Sequence, residues 1–386
     1  MNQPTTARIC AGIPASNNTL YRLIQFNVGD PTALLEIPTE SGTRSVLLLR
    51  NIEMERARKH AHVDQVACPA DFTPESGLSG DRETATAQAA AECFRSQGID
   101  HVVADRSLPL IYAEFLKRAG IEVACDENLW VNERRAKSEL EVDHLREAQR
   151  VTEQAIQHAC EMIATAEARK GGVLFRDDAP LTSEIVRTAV DVFLLKKGFT
   201  NPSSIIACGP MGADCHNIGS GNLVTGHPVI VDVFPRSRST LYNGDCTRTV
   251  VHGEIPDEIK SMHSAVRKAK AAAEQATYAG ATGEQVHQAT IQAIRSAGYE
   301  VGLPGDDAPD SYCAMTHGTG HGIGLDVHEP PLLDMKGPPL LIGDALTIEP
   351  GLYRRDLGGV RIEDMVIVTA DGCENLNSLS DELVWK

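Results

Sequence analysis

A chain of 386 residues exceeds what one hydrophobic core usually organises, and its 42% hydrophobic content is enough to fold two domains. Its 36 basic side chains against 53 acidic ones leave a formal charge of −17, a field that repels nucleic acid and anionic lipid and sets both partner classes aside. No apolar run approaches the ~20 residues of a bilayer span, residues 1–14 carry no readable export signal, and the ten scattered cysteines read as reduced thiols; a soluble, cytoplasmic protein is expected.

Between Thr43 and Cys125 strand-like and helix-like stretches alternate: strand 46–49, helix 54–60, helix 85–97 closed by Gly98, strand 101–104, helix 111–119 closed by Gly120, strand 121–124. Alternation of this kind, with glycine where a helix end needs a left-handed residue, predicts a small α/β domain. It stops at residues 131–135, where a long helix begins with Leu140, Leu145, Ala148, Val151, Ala155, Ala159 and Ile163 on one broad face. The boundary is placed there, giving domains 1–134 and 135–386. Helices over 183–197 and 257–279 follow, and a third is opened by the capping box Thr282-Gly283-Glu284-Gln285. With β-type segments between and after them, the second domain reads as α+β, helices on an antiparallel or mixed sheet.

Four of these β-type segments carry acids. Asp232 interrupts the apolar run 229–233, a costly position for a carboxylate unless it is paired or bound to metal. In Gly244-Asp245-Cys246-Thr247-Arg248-Thr249, strand alternation puts Asp245 on one face with Thr247 and Thr249 and turns Cys246 away. Glu349 closes the apolar strand 345–348 before Pro350-Gly351, and the strand 360–368 puts Arg361 and Glu363 on one face, opposite Ile362. One buried acid is usually a salt-bridged structural residue; four at sheet-interior positions point to a shared purpose.

Residues 317–324 contain four glycines and two histidines, His317 and His321, a composition that argues against a helical metal pair and suits a backbone that lets a ligand approach closely. His328-Glu329-Pro330-Pro331 lacks the second histidine of a zincin helix and is followed by two prolines, so that motif is rejected. Carboxylates with one imidazole suit a hard to borderline divalent ion such as Mn²⁺, Co²⁺ or Zn²⁺. Four carboxylates match the charge of two such ions, which would sit ~3.5–4 Å apart and activate a water, a hydrolytic rather than redox centre. Neither G-x-G-x-x-G nor G-x-x-x-x-G-K-[ST] occurs.

At these residues the chain resembles the pita-bread metallopeptidases, a group that includes aminopeptidase P, prolidase, methionine aminopeptidase and the metal-free relative creatinase. The motifs that match are residues 229–232, 244–249, 317–328, 347–351 and 361–364, and the resemblance extends closely from Lys137 to the C-terminus. It implies a pita-bread domain behind a smaller creatinase-like α/β domain, and two divalent metals, most expectedly Mn, with Co or Zn as alternatives. By the same likeness Asp232, Asp245, His321, Glu349 and Glu363 are the metal ligands, with Asp245 and Glu363 bridging. Glu349 doubles as the proton carrier, His328 lies near the scissile carbonyl, His216 lines the substrate site, and His317 and Arg361 orient ligands and substrate. The implied activity is cleavage between an N-terminal residue and a following proline, on a peptide substrate, by a homodimer. The filled ligand set separates the chain from creatinase, and its leading domain separates it from methionine aminopeptidases.

The likeness has departures. Val233-Phe234-Pro235 follows the first aspartate where a small residue and glycine are usual, and the two aspartates stand thirteen residues apart, a longer spacing than the family's. An insertion of even length keeps both side chains on one face, so the extra residues are assigned to a hairpin loop at 236–240. A dipeptidase also needs a cation for the substrate's carboxylate, for which Lys336, Arg354 and Arg355 are near in sequence. The rival readings are a same-fold hydrolase of another C–N bond, such as a non-prolyl peptide or creatine-like amide, and a metal-binding pseudo-enzyme.

Overall fold

In the computed structural model, which describes residues 6–386, the unit ending at Arg134 is built on a six-stranded sheet. Its strand order is Gln65–Ala67, Gly42–Leu48, Thr32–Thr39, Ala7–Gly12, His101–Ala104, Glu122–Cys125. Thr32–Thr39 runs antiparallel to both of its neighbours and the outer pairs are parallel. Period-two alternation sends Ile9, Leu35 and Leu48 into a core with Ala87, Ala90 and Phe94 of helix Arg82–Ser96, while Cys10, Leu34 and Leu47 pack on the other face against Leu20 and Ile24. The first two strands and helix Asn18–Ile24 precede the alternation read from Thr43. Strands buried on both faces carry no polar alternation, so their pattern is weak in sequence.

The second unit, Arg135–Lys386, packs helices on three main antiparallel or mixed sheets, with two further small sheets of short strands beside them. Helix Glu139–Ala164 starts at Ser138, whose hydroxyl and the Glu141 carboxylate form a reciprocal capping box. Its buried stripe runs through Leu145, Ala148, Val151, Ala155, Ala159 and Ile163, but Leu140 is 64% exposed. Counting back three and four residues from Leu145 reaches Val142 and Glu141, which take the buried positions instead. This helix and Ser183–Lys196 cover the sheet Ile205–Cys208, Pro228–Val233, Cys246–Val251. Helices Asp257–Ala276 and Gly283–Ser296 pack against the other two large sheets. Among the described residues no helix is long and apolar enough to cross a membrane.

Residues 360–368 do not form the single strand their pattern predicts. Gly358–Arg361 belongs to a four-stranded sheet and Asp364–Val368 to a five-stranded one, and the chain crosses between them at Ile362 and Glu363. There the backbone amides donate to Pro350 O at 3.4 Å and Thr247 O at 3.1 Å instead of to a continuing ladder. The same crossing is made in the opposite order by Ala345–Ile348 and Gly351–Arg354, with Glu349 and Pro350 between them. Both glutamates therefore sit where strands change sheets, with Glu363 held to Thr247 by a single antiparallel bridge.

Candidate metal centre

Asp232 and Asp245 come from neighbouring strands. Val229, Val231 and Val233 turn toward the helices, so Asp232 points to the opposite side with Ile230. Asp245 immediately precedes the return strand Cys246–Val251 of the hairpin, and Gln149 of the long helix clamps its peptide: Gln149 Nε2 donates to Asp245 O at 2.6 Å, and Asp245 N donates to Gln149 Oε1 at 2.9 Å. Thr247 and Thr249 share its face; Thr247 Oγ1 donates to Glu363 Oε2 at 2.8 Å, and Thr249 Oγ1 to Arg361 O at 3.0 Å. Cys246 lies in the apolar core behind.

Potential ligand atoms of Asp245, His321 and Glu363 lie within 4.8 Å of one another. His321 Nε2 is 3.8 Å from Asp245 Oδ2 and 3.7 Å from Glu349 Oε1. Its Nδ1 is 3.1 Å from Gly322 O, and because a carbonyl only accepts, the proton belongs on Nδ1 and the Nε2 lone pair faces the acids. That is the tautomer a metal-ligating imidazole needs. Asp232 lines the same cavity; its Oδ2 accepts from Arg361 Nη2 at 2.6 Å, and its Oδ1 is buried without a hydrogen-bond partner.

The electrostatics follow from this crowding. Burial first, then Glu363, Asp232 and Glu349, raise the Asp245 carboxyl well above its usual range; burial, Glu349 and Asp232 do the same to Glu363. Glu349 is pushed up to about 7 by burial, against the pull of Arg361. Burial lowers His321 to about 3, so its ring is neutral. One guanidinium cannot balance four enclosed carboxylates. The donor set of oxygens and one neutral imidazole, together with the unpartnered Asp232 Oδ1, fits divalent cations.

Around this set lies a cavity of about 410 Å³. His216, His317 and His328 all line it with Arg361. The His328 ring meets His321 edge-on, centroids 4.2 Å apart, and His216 is exposed at the wall. His317 Nδ1 is 2.8 Å from Gly318 O, so Nε2 accepts from the Tyr353 hydroxyl at 2.6 Å, and that hydroxyl accepts from Arg361 Nη1 at 3.0 Å. Tyr353 and Gln149 were not singled out by sequence reasoning. Tyr353 lies two residues past the Pro350-Gly351 signature, and that nearness is its one sequence signal.

Some expectations change. Two of the four glycines of 317–324 give room to protein backbone, since a Cβ on Gly320 would stand 1.9 Å from Thr347 O and one on Gly322 2.4 Å from Glu329 O, while Gly318 and Gly320 also line the cavity. Lys336, Arg354 and Arg355 do not line the cavity, and Arg354 is engaged by Asp356 at 2.6 Å. Glu329, beside His328, is ion-paired with Lys137 at 2.7 Å and both side chains are buried. Phe234, the unusual residue after the first aspartates's strand, does line the cavity, whereas loop 236–240 does not.

Residues 143–370 match the model of metallopeptidase family M24. The chain belongs to this family. M24 metallopeptidases use divalent metals, and the Asp245, His321 and Glu363 group is able to hold one. Among curated relatives, the Xaa-Pro dipeptidase of Pyrococcus horikoshii is 28% identical over 294 residues, 75% of this chain and 76% of that protein. The probable dipeptidase PepE of Mycobacterium tuberculosis is 32% identical over 253 residues, 65% of this chain, and the match spans 60% of PepE's length. The solved Xaa-Pro dipeptidase from Bacillus anthracis superposes with a TM-score of 0.78 at 25% identity, covering 98% of this chain and 95% of that one. An X-Pro aminopeptidase from Thermotoga maritima gives the same TM-score at 21% identity, covering 99% and 97%, a likeness of fold. The pita-bread architecture behind a smaller N-terminal domain is thus shared with these Xaa-Pro peptidases.

Proposed function

We propose that this M24 protein is a divalent-metal-dependent exopeptidase that cleaves between an N-terminal residue and a following proline, with Arg135–Lys386 as its catalytic domain behind the domain of residues 1–134. The observation that carries this reading is the convergence of Asp232, Asp245, His321, Glu349 and Glu363 on one cavity, with acids too crowded to ionise together without added positive charge. Relatives named Xaa-Pro dipeptidase supply the substrate class. Two ions, most expectedly Mn with Co or Zn as alternatives, would be held by those five residues. When bound, they supply Lewis acidity toward the scissile carbonyl and a water of lowered pKa.

The chain's own groups do the rest. Glu349 carries a proton toward the leaving nitrogen, and His328 donates toward the oxygen that gains charge. His317, held in one tautomer by Gly318 O and Tyr353, presents a fixed face to the substrate, and His216 closes the wall. Arg361 offsets the Asp232 charge. Ile205, Ile218 and Leu332 give the cavity an apolar side suited to a pyrrolidine ring. Ten unpaired cysteines are in keeping with a reducing, cytoplasmic setting, and a homodimer is read from the family likeness.

The deciding experiment loads metal-stripped protein with Mn²⁺ and offers an Xaa-Pro dipeptide, an Xaa-Pro-Xaa tripeptide and a proline-free control, with products read by mass spectrometry. Cleavage of the dipeptide alone assigns a prolidase, and cleavage of the tripeptide an aminopeptidase. Failure to cut either with metal bound overturns the reading, and sedimentation as a monomer overturns the dimer.

A further inference from the structure

The loop 236–240, the insertion between the two aspartates, borders a second cavity of about 370 Å³ lying wholly within the second unit. Its lining is cationic in a chain of charge −17: Arg238 from the loop and Lys197 from the end of helix Ser183–Lys196 both face it. The acid on its wall, Glu147, is ion-paired with Arg150 through two contacts at 2.8 and 2.7 Å and also feels Lys197, so it offsets the two cations only in part. Hydroxyls of Ser239 and Thr240 complete one side, and Thr240 Oγ1 is buried with no hydrogen-bond partner. Facing them, His144 Nδ1 is likewise buried and unpartnered, with its ring held against Tyr242 at 5.4 Å between centroids.

Two cations, two hydroxyls, one of them without a hydrogen-bond partner, and an unpartnered imidazole nitrogen around one cavity make an oxyanion receptor. Guanidinium and ammonium supply charge, and hydroxyls supply donors. We propose that this cavity binds a phosphate group, either free or carried on a small organic molecule, at a site separate from the metal centre. The chemistry favours phosphate over carboxylate because several donors converge from different elements and a tetrahedral dianion can accept from all of them at once. The inference is independent of the peptidase reading, since none of these residues lines the metal cavity.

The test is a titration of the full-length protein with inorganic phosphate and, separately, with glycerol phosphate, following the His144 imidazole resonance by NMR, with His144→Gln used to assign it. A saturable shift with both probes is expected, and Arg238→Glu should weaken it by about tenfold or more while leaving the melting temperature unchanged. Tighter binding of glycerol phosphate assigns a small organic phosphate, and tighter binding of inorganic phosphate assigns the free ion. No saturable shift, or one that Arg238→Glu and Lys197→Glu both leave intact, overturns the proposal.

Discussion

Arg361 donates from Nη2 to Asp232 Oδ2 at 2.6 Å, and the two side chains are only 3% and 11% exposed. Among the described residues this is the one guanidinium on the wall of a cavity that carries five acids, Asp232, Asp245, Asp334, Glu349 and Glu363. Removing one partner of an enclosed pair strands the other's charge, so Arg361→Met should destabilise metal-free protein by about 3–5 kcal/mol. Added divalent metal should restore part of the loss, because it supplies the missing positive charge. Melting curves with and without Mn²⁺ check this; equal melting temperatures for the two proteins after chelation would contradict it.

Tyr353 gives its single proton to His317 and accepts from Arg361. Tyr353→Phe leaves both without that partner at a cost of about 1–3 kcal/mol, and turnover should fall about tenfold to a hundredfold with metal content unchanged. Steady-state kinetics beside metal analysis separates the two. A variant that lost its metal instead would place Tyr353 in support of the ligands.

Phe234 stands on the cavity wall, at a position where the family likeness leads one to expect a smaller residue. Phe234→Ala enlarges that wall, so kcat/KM for Xaa-Pro substrates with a bulky first residue should rise about tenfold relative to Ala-Pro. Competition between two dipeptides in one reaction reads the ratio directly. An unchanged ratio would place Phe234 outside the specificity pocket.

Gly320 has no space for a side chain, since a Cβ would lie 1.9 Å from Thr347 O and 3.1 Å from Thr347 Oγ1. Thr347 Oγ1 accepts from His321 N at 3.2 Å, so any shift there also moves a metal ligand. Gly320→Ala should therefore lower stability by more than about 3 kcal/mol and abolish activity. A thermal melt of the purified variant checks it, and a melting temperature within a degree or two of the parent would refute it.

Much of this site is readable from residue order. Period-two alternation places Asp245 with Thr247 and Cys246 behind, and with an insertion of even length Asp232 and Asp245 line one cavity. What periodicity misses is where strands end. Residues 360–368 look like one strand because Ile362 and Glu363 keep the alternation while their amides bond to Pro350 and Thr247 across a sheet boundary. The glycines of 317–324 are equally ambiguous, because a residue that admits a ligand and one that admits a neighbouring carbonyl look alike until the neighbour is placed. Tyr353 and Gln149 act through distant partners, and a sequence gives no distance.

The acids and the histidines give the metal-free protein opposing pH responses. Asp245 and Glu363 are raised well above their usual range and Glu349 to about 7, so the folded state keeps protons that the unfolded chain releases above about pH 4. Their contribution to stability falls as pH rises toward and past 7. His317 and His321, lowered to about 4 and about 3, act the other way: their contribution is complete above the unfolded value of about 6.5 and is lost as pH falls below it. Between about pH 4.5 and 6.5 the two trends oppose, and above about 6.5 only the carboxylates still titrate. Chelated protein should therefore melt at a lower temperature at about pH 8 than at about pH 6.5. Bound divalent metal requires the carboxylates ionised and meets less proton competition at high pH, so its stabilising increment should grow over the same interval. Paired melts of chelated and Mn²⁺-loaded protein measure that increment, and one that shrinks as pH rises would mean these carboxylates do not hold the metal.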